Sequence, residues 1–174
     1  MLDTGASFIT LSEEIGLKLG AFKSGASAEM PFKTEGSGEW MPLVDLQIVN
    51  AENAQSQLVE ASIGKHIKNI DGLLGMSFLG DYRFEIDRTS KRLALKPPSQ
   101  QGDMTLGGKP GNWWKGRLEY YDYSVKVFAR RAKQIQRKRH QKDCNMVKPA
   151  EFYKDMKQKL ENRTMIACVP ERIR

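Results

Sequence analysis

Short apolar runs separated by turn residues fill the chain from Met1 to Lys96. Phe8-Ile9-Thr10-Leu11 is apolar and β-branched, and Ser12-Glu13-Glu14-Ile15-Gly16-Leu17 then predicts a short helical turn. Ser12 is placed to cap that turn, with Glu14 near its positive end. Leu43–Val49 half-alternates, Asn50–Asn53 supplies turn residues, and Gln57–Ile63 is the next run, which predicts an antiparallel hairpin. Tyr82–Asp87 and Arg92–Lys96 alternate with period two around a turn at Asp87–Ser90. Many short strands at this spacing predict a mainly β fold, a small sandwich or barrel, without βαβ alternation.

The pattern changes beyond a stretch rich in Gly and Pro. Leu118, Tyr121, Val125, Phe128, Ala132 and Ile135 recur at spacings of three and four, the mark of an amphipathic helix with one narrow apolar stripe. Pro149 opens a second candidate helix, with Phe152, Met156 and Leu160 on one face. The expected organisation is a β domain over residues 1–97, a Gly/Pro-rich linker over 98–112 and a helical extension over 113–174.

Charge sharpens that division. The net charge of +7 is distributed unevenly: residues 1–98 carry 10 Lys/Arg against 13 Asp/Glu, and residues 99–174 carry 18 against 8. From Lys126 to Lys142 there are eight Lys/Arg and no Asp/Glu. Such a run reads as an electrostatic footprint for nucleic acid or anionic lipid, or as the solvated face of a helix that packs by its stripe. The second reading is preferred here, because no arginine–aromatic recognition module accompanies the run.

Composition removes several function classes. Hydrophobic residues make up 40% of 174, enough for a real core. No apolar run approaches the roughly 18 residues of a membrane-spanning helix, and Met1-Leu2-Asp3-Thr4 lacks the basic start and apolar stretch of a signal peptide. Cys144 and Cys168 form neither a disulfide framework nor a C-x-x-C pair, and with only His66 and His140 beside them no metal or other cofactor is expected. Gly75-Met76-Ser77-Phe78-Leu79 starts like a nucleophile elbow but lacks the closing Gly. Gly36-Ser37-Gly38 lacks the third Gly of a dinucleotide loop, and no phosphate loop occurs.

Two motifs remain. Asp3-Thr4-Gly5-Ala6-Ser7 precedes the first apolar strand. Alone it reads equally as a turn, in which Asp bonds its own backbone. Asp71-Gly72-Leu73-Leu74-Gly75-Met76-Ser77-Phe78-Leu79 reads alone as a buried strand ending in a tight turn, with a short helix from Ser77.

In this order, with a β-hairpin between them, the two motifs resemble those of retropepsin-like aspartic proteases, particularly the bacterial branch. The resemblance spans roughly residues 2–96 and implies a small acid-protease β-barrel followed by the basic helical extension. It implies Asp3 as the catalytic carboxylate and Thr4 as a brace to a partner's loop. Gly5 would admit the substrate backbone, and Ala6 and Ser7 would line the cleft. Leu73, Leu74 and Gly75 would pack beneath the loop. Thr34–Trp40 falls where the family carries a hairpin flap, with Gly36, Ser37, Gly38 and Trp40 as its candidate residues.

Peptide hydrolysis by this route uses two carboxylates sharing a proton, one as general base on a water. The chain holds one Asp-Thr-Gly, so the resemblance implies a homodimer pairing two Asp3 residues, acting on a polypeptide. Bacterial relatives are often anchored by an N-terminal membrane helix and face the periplasm, which the resemblance alone suggests here. Relatives also carry a strand upstream of the catalytic Asp. Only Met1 and Leu2 precede Asp3, so the expectation is an N-terminally incomplete chain with a frayed loop and impaired activity. The competing expectation is a non-catalytic dimerisation or binding module whose basic extension contacts nucleic acid or anionic membrane.

Overall fold

The β-branched run predicted after Ser7 forms β1 (Ile9–Ser12), whose backbone is paired on both edges. The computed structural model describes residues 1–21, 28–34, 37–65, 67, 69–97, 109–137 and 147–166. The chain divides into two compact units, one comprising Met1–Ser27 and Pro31–Ser99, the other Ala28–Met30 and Gln100–Arg174.

In the first unit, the Ser12 hydroxyl accepts from the Ile15 N–H at 3.3 Å and caps α1 (Glu13–Lys18). Lys18 hydrogen-bonds Glu14 one turn earlier at 2.6 Å, which holds the exposed Glu14 carboxyl below its ordinary range. β2 (Ala28–Thr34), of which only Pro31–Thr34 belong to this unit, β3 (Ser37–Ala51) and β4 (Ala54–Gly64) follow. β3 and β4 form the expected antiparallel hairpin, with Leu43 opposite Ser62 and Leu46 opposite Val59. Glu52 makes its turn at φ 50°.

β1 then pairs in parallel with β4, Ile9 opposite Ala61 and Leu11 opposite Ile63. A two-residue strand, β5 (Gly72–Leu73), lies antiparallel on the other edge of β1. The sheet order is β2-β3-β4-β1-β5. Leu58 to Ile63 of β4 are buried without alternation, because this strand is central and covered on both faces. Two hydroxyls buried there satisfy each other, Thr10 Oγ1 and Ser62 Oγ at 3.0 Å.

After α2 (Met76–Leu79), β6 (Arg83–Asp87) and β7 (Arg92–Lys96) form a second, two-stranded sheet in which Phe84 faces Leu95. The Asp87 carboxylate accepts from the Ser90 hydroxyl and from the Ser90 and Thr89 N–H groups, and these bonds, the hydroxyl's first, lower its pKa. The period-two pattern has a direct cause: Phe84, Leu93 and Leu95 pack on Ile9, Val44, Val59, Ala61, Ile63, Phe78 and Leu79. Both sheets thus contribute to one core.

The second unit contains α3 (Gly111–Arg137) and α4 (Val147–Ile166). Gly111 and Asn112, expected at the end of the linker, are helical, and the Trp113 N–H bonds the Pro110 carbonyl. Residues 98–108 of that linker lie outside the described residues. Asp122 meets Lys157 at 2.7 Å while Phe128 stacks on Tyr153 at 5.6 Å, so the helices run antiparallel.

The stripe on α3 is buried at Leu118, Tyr121, Phe128 and Ala132. On α4 the expected face shifts by one residue. Tyr153, not Phe152, is buried with Met156 and Leu160, and Phe152 is half-buried at its edge. Tyr153 serves as a core residue because its ring packs on Phe128 while its hydroxyl reaches that of Tyr120 at 3.3 Å. Among the described residues no helix is long and apolar enough to cross a membrane.

Candidate active site

The arms of the Asp3 loop are fixed by a segment some seventy residues away. Leu2 bridges Leu74 in parallel, and the Asp3 N–H donates to the Leu74 carbonyl at 3.1 Å. In return the Leu74 N–H donates to the Met1 carbonyl at 2.7 Å, and the Met1 amino group donates to the Gly72 carbonyl at 2.8 Å. On its other edge the same segment pairs with the strand leaving the loop, Thr10 opposite Leu73. Gly72–Leu74 is therefore a wedge between the chain entering the loop and the chain leaving it. Fraying was expected at Met1 and Leu2; instead their backbone is paired, because the wedge offers a second free edge.

Inside the loop, the Gly5 N–H donates to Asp3 Oδ1 at 2.9 Å and the Ala6 N–H reaches the Asp3 carbonyl at 3.3 Å. The Asp3 side chain folds back on its own turn, as Asp in a tight loop does. Asp3 is half-buried, whereas Thr4, Gly5 and Ser7 are exposed. Ala6 is half-buried, and its carbonyl accepts the Met76 N–H at 2.8 Å.

Leu73 and Leu74 are both half-buried in the wedge, and Leu74 packs on the core. Gly75 has a steric reason to be glycine. A Cβ there would stand 2.0 Å from the Phe8 carbonyl oxygen and 2.8 Å from that of Ala6. Gly72 is equally confined, with the Thr10 carbonyl oxygen 2.4 Å from a would-be Cβ.

The flap candidates are divided. Gly36 lies outside the described residues, while Ser37, Gly38 and Trp40 form the start of β3, next to β2 in the sheet. Trp40 is 37% exposed.

One residue that sequence reasoning passed over belongs to this arrangement. Ser77 is buried, and its Oγ accepts the Ile9 N–H at 2.9 Å, tying the start of β1 to the start of α2. The only signal was a small hydroxyl one residue past Gly-Met, read as a helix start. A polar cavity of about 500 Å³ lies beyond the other end of β1, lined by Ser12, Glu13, Glu14, Lys65, Ile67, Asn69, Ile70 and Asp71, without Asp3. Among the described residues, no three His, Cys, Asp or Glu side chains gather as a metal site.

Residues 1–81 match the family model of the gag-polyprotein putative aspartyl proteases. A solved retropepsin-like aspartic protease from Rickettsia conorii is 30% identical, over 55% of this chain and 70% of that one, with a TM-score of 0.44. That identity across that share of the relative decides the family. The chain belongs to the retropepsin-like aspartic protease family. No curated protein matches it. The described residues are rich in strands up to Lys96 and helical from Gly111 on, and the matched residues of the family model end at Asp81, just past α2. Within this retropepsin-like chain, the matched stretch contains the Asp3 loop, the wedge and Ser77.

Proposed function

We propose that the protein is an aspartic endopeptidase whose active site forms when two chains bring their Asp3 residues together across a two-fold axis. The observation that carries this reading is the Asp3 loop itself, a half-buried carboxylate whose backbone is clamped on both sides by the Gly72–Ser77 segment. Holding a carboxylate in register is the main demand of chemistry that proceeds by positioning. The chain holds a single Asp-Thr-Gly, so the second carboxylate comes from a second copy in an isologous pair.

The residues then have distinct tasks. One Asp3 carboxylate takes a proton from a water bound between the two. The water oxygen attacks the scissile carbonyl carbon, while the protonated Asp3 of the second copy gives its proton to the carbonyl oxygen. As the tetrahedral intermediate collapses, the first Asp3 gives the proton it took from water to the amine nitrogen and the C–N bond breaks. The second Asp3 takes a proton back from a hydroxyl of the intermediate, and no covalent intermediate with the enzyme forms. Two like carboxylates this close share one proton, so turnover passes through a maximum in the acidic range; pepsin is the established example of such a pair. Thr4 braces the partner's loop, Gly5 leaves room for substrate backbone, and the β2–β3 hairpin around Ser37, Gly38 and Trp40 covers the cleft.

Cleavage of an unstructured apolar peptide between about pH 4 and pH 6 tests this, alongside sedimentation of the same samples. Asp3→Asn is expected to lower turnover by about 10²–10⁴-fold while the protein still dimerises. Near-full turnover by Asp3→Asn sinks the assignment. A dimer with no turnover in the parent chain favours the binding-module alternative.

A further inference from the structure

We propose that the exposed face of α3 binds single-stranded nucleic acid through its phosphates, independently of base sequence. The solvated-face reading of the basic run accounts for its exposure but not for its register. At 3.6 residues per turn, Tyr123, Lys126, Arg130 and Lys133 fall within an arc of about 80°, on the side away from the buried stripe. Lys126, Arg130 and Lys133 are exposed, and Tyr123 is 67% exposed, against 37% for Tyr120 and Trp40. Lys126 to Lys133 makes a straight cationic row about 10 Å long with a tyrosine ring at one end.

Four of the five acidic residues of the two helices, all but Glu151, pair with other lysines. Asp122 and Glu161 both meet Lys157, Glu119 lies near Lys115, and Asp155 meets Lys159. Among the described residues, Lys126, Arg130 and Lys133 have no carboxylate partner. Their charge is therefore left uncompensated, which suits a polyanion.

The apolar side of the helix separates nucleic acid from membrane. A helix lying on a lipid surface inserts a free apolar face into it. Here Tyr121, Phe128 and Ala132 are buried, and Phe128 and Tyr121 lie against Tyr153 of α4. That face is spent on the hairpin. What remains outside is a cation row plus one aromatic ring, the combination that grips phosphates and stacks an unpaired base. A duplex keeps its bases stacked inside and offers nothing to Tyr123.

The test uses the full chain and a labelled oligo(dT) of about 20 nucleotides, followed by fluorescence anisotropy at about 50 and 200 mM salt. The triple substitution Lys126→Gln, Arg130→Gln, Lys133→Gln is expected to weaken binding at least about tenfold and to lower the salt slope by about 2, from roughly 0.7 per phosphate contact on a single strand. Tyr123→Ala weakens binding by about five- to a hundredfold without changing the slope, and Tyr123→Phe restores it. A charge-matched control on the other unit, Arg88→Gln, Lys91→Gln, Arg92→Gln, leaves affinity within about twofold, with circular dichroism checking the fold of every variant.

Absence of binding at low salt overturns the proposal, as does an equal loss in the control. A duplex of the same length bound as tightly as the single strand overturns it too. Binding to phosphatidylcholine–phosphatidylserine vesicles without binding to oligo(dT) assigns the face to a membrane instead.

Discussion

Around Asp3, the hydrogen bonds that fix the loop span 71 residues between Met1 and Gly72 and 68 between Ile9 and Ser77. In α3 and α4 the backbone bonds are local, and what joins the helices is rings and an ion pair, Phe128 on Tyr153 and Asp122 with Lys157. The first region places one backbone against another with no space for a Cβ, at Gly75 and Gly72. The second leaves Gly116 with nothing within 4 Å of a would-be Cβ. The same amino acid is thus essential in one unit and dispensable in the other. Close backbone packing holds a carboxylate in place but tolerates no added atom, whereas side-chain packing between helices tolerates change and leaves the outer face free for charge.

Gly75→Ala probes that contrast most severely. A new Cβ collides with backbone oxygens of Phe8 and Ala6, which cannot rotate away as a side chain would. The expected cost exceeds about 4 kcal/mol, in the range reserved for overpacking and strain at special positions. Denaturant titration should show the loss, and peptidase activity should go with it. A midpoint near that of the parent would mean that the wedge is looser than described.

Phe128→Ala attacks the other unit through its packing. It removes a ring stacked on Tyr153 and leaves a void between the helices, at a cost of about 3 kcal/mol. Hydrogen exchange should report the loss of protection in α3 and α4. Loss of protection centred on β1 and β4 instead would contradict the division drawn here.

Legibility followed the same line. The α3 stripe and the alternation of β6 and β7 are local patterns, and both elements formed where the pattern indicated. The β3–β4 hairpin was legible because its turn residues lie between its strands. The parallel pairing of Ile9 with Ala61 was not, since no turn joins β1 to β4 and parallel strands carry no short-range signal. The two motifs marked the Asp3 region, but the wedge between its arms and the Ser77 bond depend on register across the whole unit. Phe152 was preferred to Tyr153 on α4 although both stand at helical spacing from Met156, four residues and three, because spacing alone does not choose between two adjacent rings.

Gly116→Ala sharpens the comparison from its mild side. The position is exposed, lies inside α3 and has free space around it, so the methyl group should stabilise the helix by about 0.5–1 kcal/mol. Thermal melting followed at the helical band checks this. A lowered midpoint would show that α3 is constrained there by something other than its own backbone.

The smallest expected effect concerns pH and the ion pair between the helices. The hydrogen bond from Lys157 to Asp122, chiefly, raises the Lys157 pKa above its ordinary 10.5, against a smaller opposing effect of burial. A raised folded-state pKa means that the folded chain holds the proton more tightly than the unfolded chain. The stabilisation is therefore complete below about pH 10.5 and is lost as pH rises through the folded value. Both partners keep substantial contact with solvent, so the pair contributes less than about 1 kcal/mol. Lys157→Gln should lower the helical melting midpoint slightly at about pH 9, and the gap to the parent should close as pH rises beyond 10.5 through the folded value. Added salt should narrow the gap at the lower pH, because the pair is partly exposed. A gap that persists unchanged at the higher pH would assign the role of Lys157 to its aliphatic stem packing between the helices rather than to its charge.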